Sequence, residues 1–557
     1  MSGPASPSSP EVERLARALS VTETVAAWLI RLGHGDTDAT RRYLDPKLAH
    51  LTDPSAMVDR GPAADRIARA VRSGETIAVF GDYDCDGITS AAIVTEFLRA
   101  LGGTAVPLLA SRFEGGYGLS AAAAERVLGC GAKLLVTCDC GSSDHVSIAR
   151  LKERGIDTVV IDHHLVPAEP LPAVAFLNPH RPECGFPYKG LASCGLALSL
   201  AAAVRSALGR PLDVRRWLDL VAIGTIADVA PLDGDNRTLV RAGLDHLISG
   251  MRPGIAALVE VTMLDRTRRP SARDVAFTLA PRLNAPGRLG SPVLALELLL
   301  ARDAETARQI AASLESLSER RKALQAEIFA QAVEEIEREG YSERSAIVVG
   351  REGWGSGIVG IVAGKLADRY ARPVVVVGFE NGEGRGSVRG PKGARLFDAL
   401  SRTASLLTRF GGHQAAAGLE VPIARLAELR AAFESAVDAV RGESAPDPLA
   451  DALPLSGRDD PLRVLRDFER LEPCGQGNPL PKLRVSGTVA AARELRGGHL
   501  RLEVLLADGH RLGCFGVGMA SEYATLEGPV SVVGDLRRDS YRGGDAIELF
   551  LSSVVRG

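Results

Sequence analysis

The stretch TIAVFGDYDCDG, Thr76–Gly87, decides how this chain is read. Thr76–Phe80 is a continuous apolar run, as expected of a strand covered on both faces of a parallel sheet. The seven residues after it place Asp82, Asp84 and Asp86 between Gly81 and Gly87. On an extended segment the three carboxylates share one face, and the glycines permit a sharp turn into the helix that follows, expected over Ser90–Leu101. Such a loop is either an ordinary Asp-rich turn or a cation site. It departs from the EF-hand pattern, which needs further oxygens and a distal Glu.

The pattern recurs downstream. Lys133–Thr137 leads into TCDCG (Thr137–Gly141), and Asp157–Ile161 leads into IDHH (Ile161–His164). A fourth cluster, GTIAD, ends at Asp228. Strands alternating with helices argue for a parallel sheet, and ligands of such sheets sit at the carboxyl ends of the strands. Each cluster has a plain alternative. Asp139 is placed like a helix N-cap, and a single His after a strand is usually structural. Asp228, between Ala227 and Val229, is costly to bury unpaired, a cost that a metal or an arginine relieves. The convergence carries the argument. Carboxylate oxygens with a few imidazoles suit manganese or magnesium, and so many ligand-type residues suggest two ions, the arrangement that cleaves phosphate esters.

At 557 residues and 46% apolar composition, three or so domains with proper cores are expected. A net charge of −3 is not that of a strongly basic DNA-binding module, so any nucleic acid must be held by a local basic groove or by the metals. The eight cysteines, at 85, 130, 138, 140, 184, 194, 474 and 514, form no CxxC pair. That argues against structural zinc and fits a reducing cytoplasm. MSGPASPSSP at the start lacks a basic region followed by an apolar one, so it reads as a disordered tail over residues 1–20 rather than a signal peptide. No apolar run approaches a membrane span.

Val21–Gly74 reads as short helices broken by Gly33, Pro46 and Pro54. From about Ala304 to Glu339 the chain has no proline or internal glycine, and Ile310, Leu314, Leu317, Leu324 and Ile328 form a helical stripe. A second α/β unit follows: strand Ser345–Val349, helix Gly360–Tyr370, strand Pro373–Val377. It carries RGSVRG (Arg385–Gly390), read as an anion-binding loop with Ser387 and Arg389, and FGGHQAAAG (Phe410–Gly418), read as a glycine-rich approach to a helix with His413. Gly442–Pro461 reads as a linker. After Pro481, turn signals at 497–498, 508–509 and 543–544 separate about five strands, which suggests a small OB-type barrel. The expected fold is therefore two α/β domains joined by a long helix, plus a C-terminal OB-like barrel. The domains are 21–300 with the N-terminal helical segment, 301–340 for the connecting helix, 341–442, and 443–557.

In this order the four clusters resemble the DHH phosphoesterase superfamily, and RGSVRG and FGGHQAAAG resemble its associated domain. YLDPKLAHLTDPSAMVD (Tyr43–Asp59), PRLNAPGR (Pro281–Arg288) and LEPCGQGNP (Leu471–Pro479) look like the bacterial single-strand-specific DNA exonucleases within that superfamily. The resemblance implies that Asp86, Asp139, His163 and Asp228 hold one divalent cation, and that Asp82, Asp84 and Asp139 hold another. His164, beside Asp162, would face the scissile phosphate as the catalytic pair. Arg112, Arg288, Ser387 and Arg389 would form a pocket for the 5′-phosphate, with His413 lining the cleft. The implied activity is 5′-to-3′ hydrolysis of single-stranded DNA to nucleoside 5′-monophosphates, in repair and recombination. By the same resemblance the protein is a cytoplasmic monomer, and its partners are a single-strand-binding protein and a RecQ-type helicase. Where that family usually reads Trp-His-x-Gly, this chain has Trp354-Gly355-Ser356-Gly357, and Asp535–Asp545 matches loosely. The rival readings are a small-substrate phosphodiesterase or pyrophosphatase, against which the chain length, NAPGR and the β-rich tail argue, and a catalytically dead DNA-binding subunit, against which the intact aspartates argue.

Overall fold

The computed structural model describes residues 9–440, 452–539 and 542–556. The chain divides into two compact units, Thr52–Ala445, and Met1–Leu51 with Pro446–Gly557.

In the first unit, β1 (Thr76–Gly81), β2 (Thr104–Leu109), β3 (Leu134–Cys138), β4 (Asp157–Ile161) and β5 (Ala175–Leu177) form a wholly parallel sheet in the order β2-β1-β3-β4-β5. Every residue of β3, and every residue of β1 after Thr76, is buried. The strands are apolar throughout because helices cover both faces, and each fully buried Val, Leu or Ile contributes roughly 1.5–3 kcal/mol. The helix after β1 starts at Cys85 and runs to Ala100, five residues earlier than the sequence suggests. Asp86 therefore lies in its first turn, and Asp84 is its N-cap, accepting from the Asp86 and Gly87 amides at 3.1 Å each. Glycines make this tight entry possible: a Cβ at Gly81 would come within 2.5 Å of the Gly87 carbonyl oxygen, and one at Gly87 within 2.6 Å of the Asp82 nitrogen.

The long helix is present as Ala304–Arg338, 35 residues and about 50 Å. Its buried stripe meets the expected one only at Leu314 and Ile328. Ala307, Ala311, Leu314, Ser318, Arg321, Gln325, Ile328, Ala332 and Ile336 are buried, whereas Ile310, Leu317 and Leu324 are only partly so. Beyond it, β6 (Ile347–Glu352), β7 (Val374–Glu380), β8 (Glu383–Arg389), β9 (Arg409–His413) and β10 (Ala416–Pro422) form a mixed sheet in the order β6-β7-β8-β10-β9. Two readings change here. RGSVRG is not a loop but part of β8, paired on both sides with β7 and β10, so its backbone is committed to the sheet and only side chains remain for a ligand. FGGHQAAAG approaches no helix; it forms the β9–β10 hairpin.

In the second unit, β11 (Leu453–Pro454), β12 (Leu483–Leu495), β13 (His499–Leu505), β14 (Arg511–Gly516), β15 (Pro529–Arg538) and β16 (Ile547–Arg556) follow the order β11-β12-β13-β14-β16-β15. β15 pairs back onto β12, closing a five-stranded barrel of the expected OB type. The N-terminal segment, expected within the domain 21–300, groups with this barrel as far as Leu51, and from Thr52 it stays with the first unit. Residues 10–19, expected in the disordered tail, form the helix Pro10–Leu19; residues 1–8 lie outside the described residues. The reason is apolar cover: Val12, Val25 and Leu29 share one core with Val464, Phe468, Leu500 and Val532. Polar ties add to it. The Thr24 amide and hydroxyl both donate to Asp459 Oδ2 at 2.7 Å, the Thr22 amide donates to Asp467 Oδ2 at 2.7 Å, and the Tyr43 hydroxyl donates to Asn478 Oδ1 at 2.6 Å. Half of the expected linker, residues 442–451, lies outside the described residues. Among those described, no helix is long and apolar enough to cross a membrane.

Candidate metal centre and phosphate-binding residues

The parallel sheet places three aspartates by one rule. Each stands one residue past its strand and donates its amide to the last carbonyl of the next strand: Asp82 to Cys138 at 3.1 Å, Asp139 to Ile161 at 2.9 Å and Asp162 to Leu177 at 3.0 Å. This staggered row fixes all three carboxylates at the carboxyl edge of adjacent strands. Asp139 takes a φ of 64° to do so, a left-handed conformation that Asp tolerates better than most residues. Val229, next to Asp228, has a φ of 62°, where a β-branched side chain is strained; such outliers gather at functional sites.

Three sets of ligand atoms result, each within 4.8 Å: Asp86, His163 and Asp228; Asp82, Asp84 and Asp139; and Asp139, His163 and His164. His163 Nε2 lies 3.3 Å from Asp139 Oδ1 and 3.6 Å from Asp228 Oδ2. Ser193, at the start of the helix Ser193–Leu208, was not singled out in the sequence, yet it ties two sets together. Its amide donates to Asp86 Oδ2 at 2.8 Å and its hydroxyl to Asp139 Oδ1 at 3.0 Å. The Cys194 amide donates to Asp86 Oδ1 at 3.0 Å.

Electrostatics shows what this arrangement lacks. Burial, then Asp86 and Asp84, holds the Asp139 carboxyl well above the usual range. Burial and then Asp84 do the same to Asp82, and burial, Asp86 and Asp84 push Asp228 up to about 8. Burial keeps His163 below its ordinary value, as a neutral ligand requires. Asp82 Oδ1 and His163 Nε2 are buried with no hydrogen-bond partner among the described residues. Crowded carboxylates, a neutral imidazole and two orphaned ligand atoms fit divalent cations, which satisfy such groups directly.

Asp162 is different, for its oxygens are taken. Oδ2 accepts from the Ser142 amide at 3.0 Å, and Oδ1 accepts from His164 Nδ1 at 2.7 Å and the His163 amide at 2.8 Å. Burial opposes its charge, but the His164 hydrogen bond and charge outweigh it and bring Asp162 to about 2. Burial likewise opposes a charged His164, and Asp162 outweighs it, raising the ring to about 9. Tyr117, from the stretch in which only Arg112 drew attention, sets its hydroxyl 3.0 Å from His164 Nδ1.

The arginines are partly gathered. Arg112 stacks over the Tyr83 ring at 4.2 Å, and its Nε is buried without a partner among the described residues. Arg288 reaches across to the associated domain, Nη1 donating to the Gly357 carbonyl at 3.1 Å. Burial, then Arg112 and Arg321, pulls Arg288 down to about 10. Ser387 and Arg389 share one face of β8, against Gly360 of the helix Ser356–Tyr370. His413 is exposed and opposes Ala416, which opposes Arg389. It therefore lies on that face two strands out and belongs to none of the three ligand sets. Gly355, where the resemblance implies a polar residue, caps the helix Ser356–Tyr370 without a side chain.

Models of known families match along the chain: the DHH family N-terminal domain over residues 76–225, the DHHA1 domain over 343–439 and the RecJ OB domain over 453–553. Fold and site thus define a phosphoesterase of the DHH class. A curated relative from Bacillus subtilis (strain 168), the single-stranded-DNA-specific exonuclease RecJ, is 33% identical over 99% of this chain and 70% of its own. The protein of that name from Salmonella typhimurium is 36% identical over 75% and 76%. The crystal structure of RecJ in complex with Mn2+ from Thermus thermophilus superposes with a TM-score of 0.83 at 31% identity, covering 98% of this chain and 78% of that one. The chain belongs to the RecJ family.

Proposed function

We propose that this protein is a metal-dependent exodeoxyribonuclease that shortens single-stranded DNA from its 5′ end, releasing nucleoside 5′-monophosphates in repair and recombination. The observation that supports it most is the convergence of buried carboxylates around Asp139 with orphaned ligand atoms on Asp82 and His163. Asp86, Asp139, His163 and Asp228 would hold one manganese or magnesium ion, and Asp82, Asp84 and Asp139 the other. Such a pair, when bound, activates water and neutralises charge on the phosphate.

The chain's own groups do the rest. His164, its Nδ1 engaged by Asp162 and Tyr117, keeps Nε2 for the scissile phosphate, and its positive ring stabilises charge there. Asp162 is a positioning residue. Arg112, Arg288, Ser387 and Arg389 hold the 5′-terminal phosphate; half-buried guanidiniums with no carboxylate partner among the described residues suit an anion. His413 lines the same face further out.

The barrel would bind the strand. His499 and Phe515 pack edge-on at 5.7 Å, Phe515 and Phe550 lie 6.0 Å apart, and Arg537 sits 4.0 Å over Phe550. Such a row of rings and a cation suits stacked bases. The protein acts in the cytoplasm as a monomer, with a single-strand-binding protein and a RecQ-type helicase as partners.

A single-stranded oligonucleotide labelled at one end or the other, incubated with manganese, tests this reading. A labelled mononucleotide should appear at once from the 5′-labelled strand and last from the 3′-labelled one. Release from the 3′ end first, or equal digestion of duplex, contradicts it.

A further inference from the structure

The buried stripe of the long helix is polar in its middle. Ser318, Arg321 and Gln325 stand where the rest of the stripe is apolar. Arg321 is 9% exposed. Its Nε, like the Ser318 hydroxyl one turn earlier, is buried without a hydrogen-bond partner among the described residues. Among the described residues its one side-chain hydrogen bond is a long one, Nη1 to Gln325 Oε1 at 3.4 Å. No carboxylate among the described residues pairs with it. Glu319 on the same helix is exposed and bound to Lys322 at 2.8 Å; its charge acts on Arg321 through space, but burial and then Arg282 outweigh it and hold the guanidinium below its ordinary value. Arg282 nearby shows the contrasting case, donating from Nη2 to Glu315 Oε1 at 2.9 Å.

An isolated buried guanidinium is expensive, and proteins keep one where something else supplies the negative charge. The location says what that is. The Arg282–Glu315 pair fixes the register between the helix Ala280–Leu289 and the long helix. Six residues further along each come Arg288 and Arg321. The two helices run the same way, since Leu289 packs on the cluster that holds Ile328, so the two arginines stand at the same level.

We propose that Arg321, with the Ser318 hydroxyl behind it, is a further substrate-binding residue, holding a phosphate oxygen of the DNA strand beside Arg288. This rests on the phosphate pocket proposed above. Consistent with the placement, Arg288 is held down by burial, by Arg112 and then by Arg321. The phosphate is either the terminal monoester or the first internal diester, and the substrates tell them apart.

The test uses the full chain, with Arg321→Gln, Arg321→Lys, Arg321→Met and Arg288→Gln. KM and kcat are measured with manganese on short strands bearing a 5′-phosphate or a 5′-hydroxyl. Melting is measured in phosphate and in chloride at equal ionic strength. Arg321→Gln should raise KM by about tenfold, the worth of a charged hydrogen bond, and by more than it lowers kcat; Arg321→Lys should recover most of this. A loss confined to the phosphorylated strand identifies the terminal phosphate, and an equal loss on both the diester. Arg321→Met should melt higher than wild type in chloride, because an unpaired buried charge is gone, and should lose the wild type's gain in phosphate. A lower melting point in chloride with unchanged KM makes Arg321 a structural residue and overturns the proposal. If Arg288→Gln also leaves KM unchanged and the 5′-phosphate makes no difference to wild type, the pocket itself falls, and Arg321 with it.

Discussion

Tyr117 Oη lies 3.0 Å from His164 Nδ1 and donates to the Asp139 carbonyl at 3.2 Å. One phenol thus braces the imidazole proposed to face the phosphate against the backbone of the residue proposed to bridge the cations. Tyr117→Phe removes only the hydroxyl. It should lower kcat by roughly three- to tenfold with little change in KM or melting temperature, measured on a 5′-phosphorylated strand. A KM effect alone would mean that Tyr117 contacts DNA rather than orienting His164.

Metal removal should expose the repulsion among the carboxylates. In the metal-free protein Asp228 is held up to about 8, by burial, then Asp86 and Asp84, and Asp139 and Asp82 are raised as well. Their unfolded values lie near 4, so the folded state binds more protons, and metal-free stability should fall as pH rises from about 4 to 8. Divalent cations relieve that repulsion. The rise in melting temperature on replacing EDTA with manganese should be larger at pH 8 than at pH 5.5. An equal or smaller rise at pH 8 would mean that these carboxylates are not the ligands.

For the barrel, cutting the chain near Asp459 is an unsound test. It would strip cover from Val25 and Leu29 and take away the bonds of Thr24. Phe515→Ala and Phe550→Ala, with both rings on the outer face, should leave the fold intact. Each should weaken binding of a long single strand by roughly 1–3 kcal/mol, while hydrolysis of a very short strand is kept. Titration of a fluorescent strand checks this; unchanged affinity in both variants would leave the barrel a packing module.

The clusters after β1, β3 and β4 were legible because apolar runs followed by Asp announce buried strand ends, and parallel topology then forces the ends together. The closed barrel was legible from its turn glycines. Other features were not. The helix stripe was read from Ile310, Leu314, Leu317, Leu324 and Ile328; Leu314 and Ile328 are buried, but Ala307 and Ala311 face inward where Ile310, Leu317 and Leu324 are only partly covered, and small residues carry little weight in a hydropathy pattern. That shift hid Arg321. RGSVRG looked like a loop because glycine is rare in strands, yet a Cβ at its Gly386, within β8, would meet Val377 at 3.0 Å; that glycine serves strand packing. The N-terminal helices revealed nothing of their partner, since an apolar face does not name what covers it.

The central claim is that Asp139 serves two cations at once. Asp139→Asn suits the test better than alanine, because asparagine accepts the φ of 64° at this position. Calorimetric titration with manganese, alongside turnover of a 5′-phosphorylated strand, should find two ions per wild-type chain. In the variant it should find at most one, with turnover down on the order of a thousandfold and the melting temperature of the metal-free protein unchanged or higher. Two manganese ions bound with normal turnover in Asp139→Asn would contradict the account.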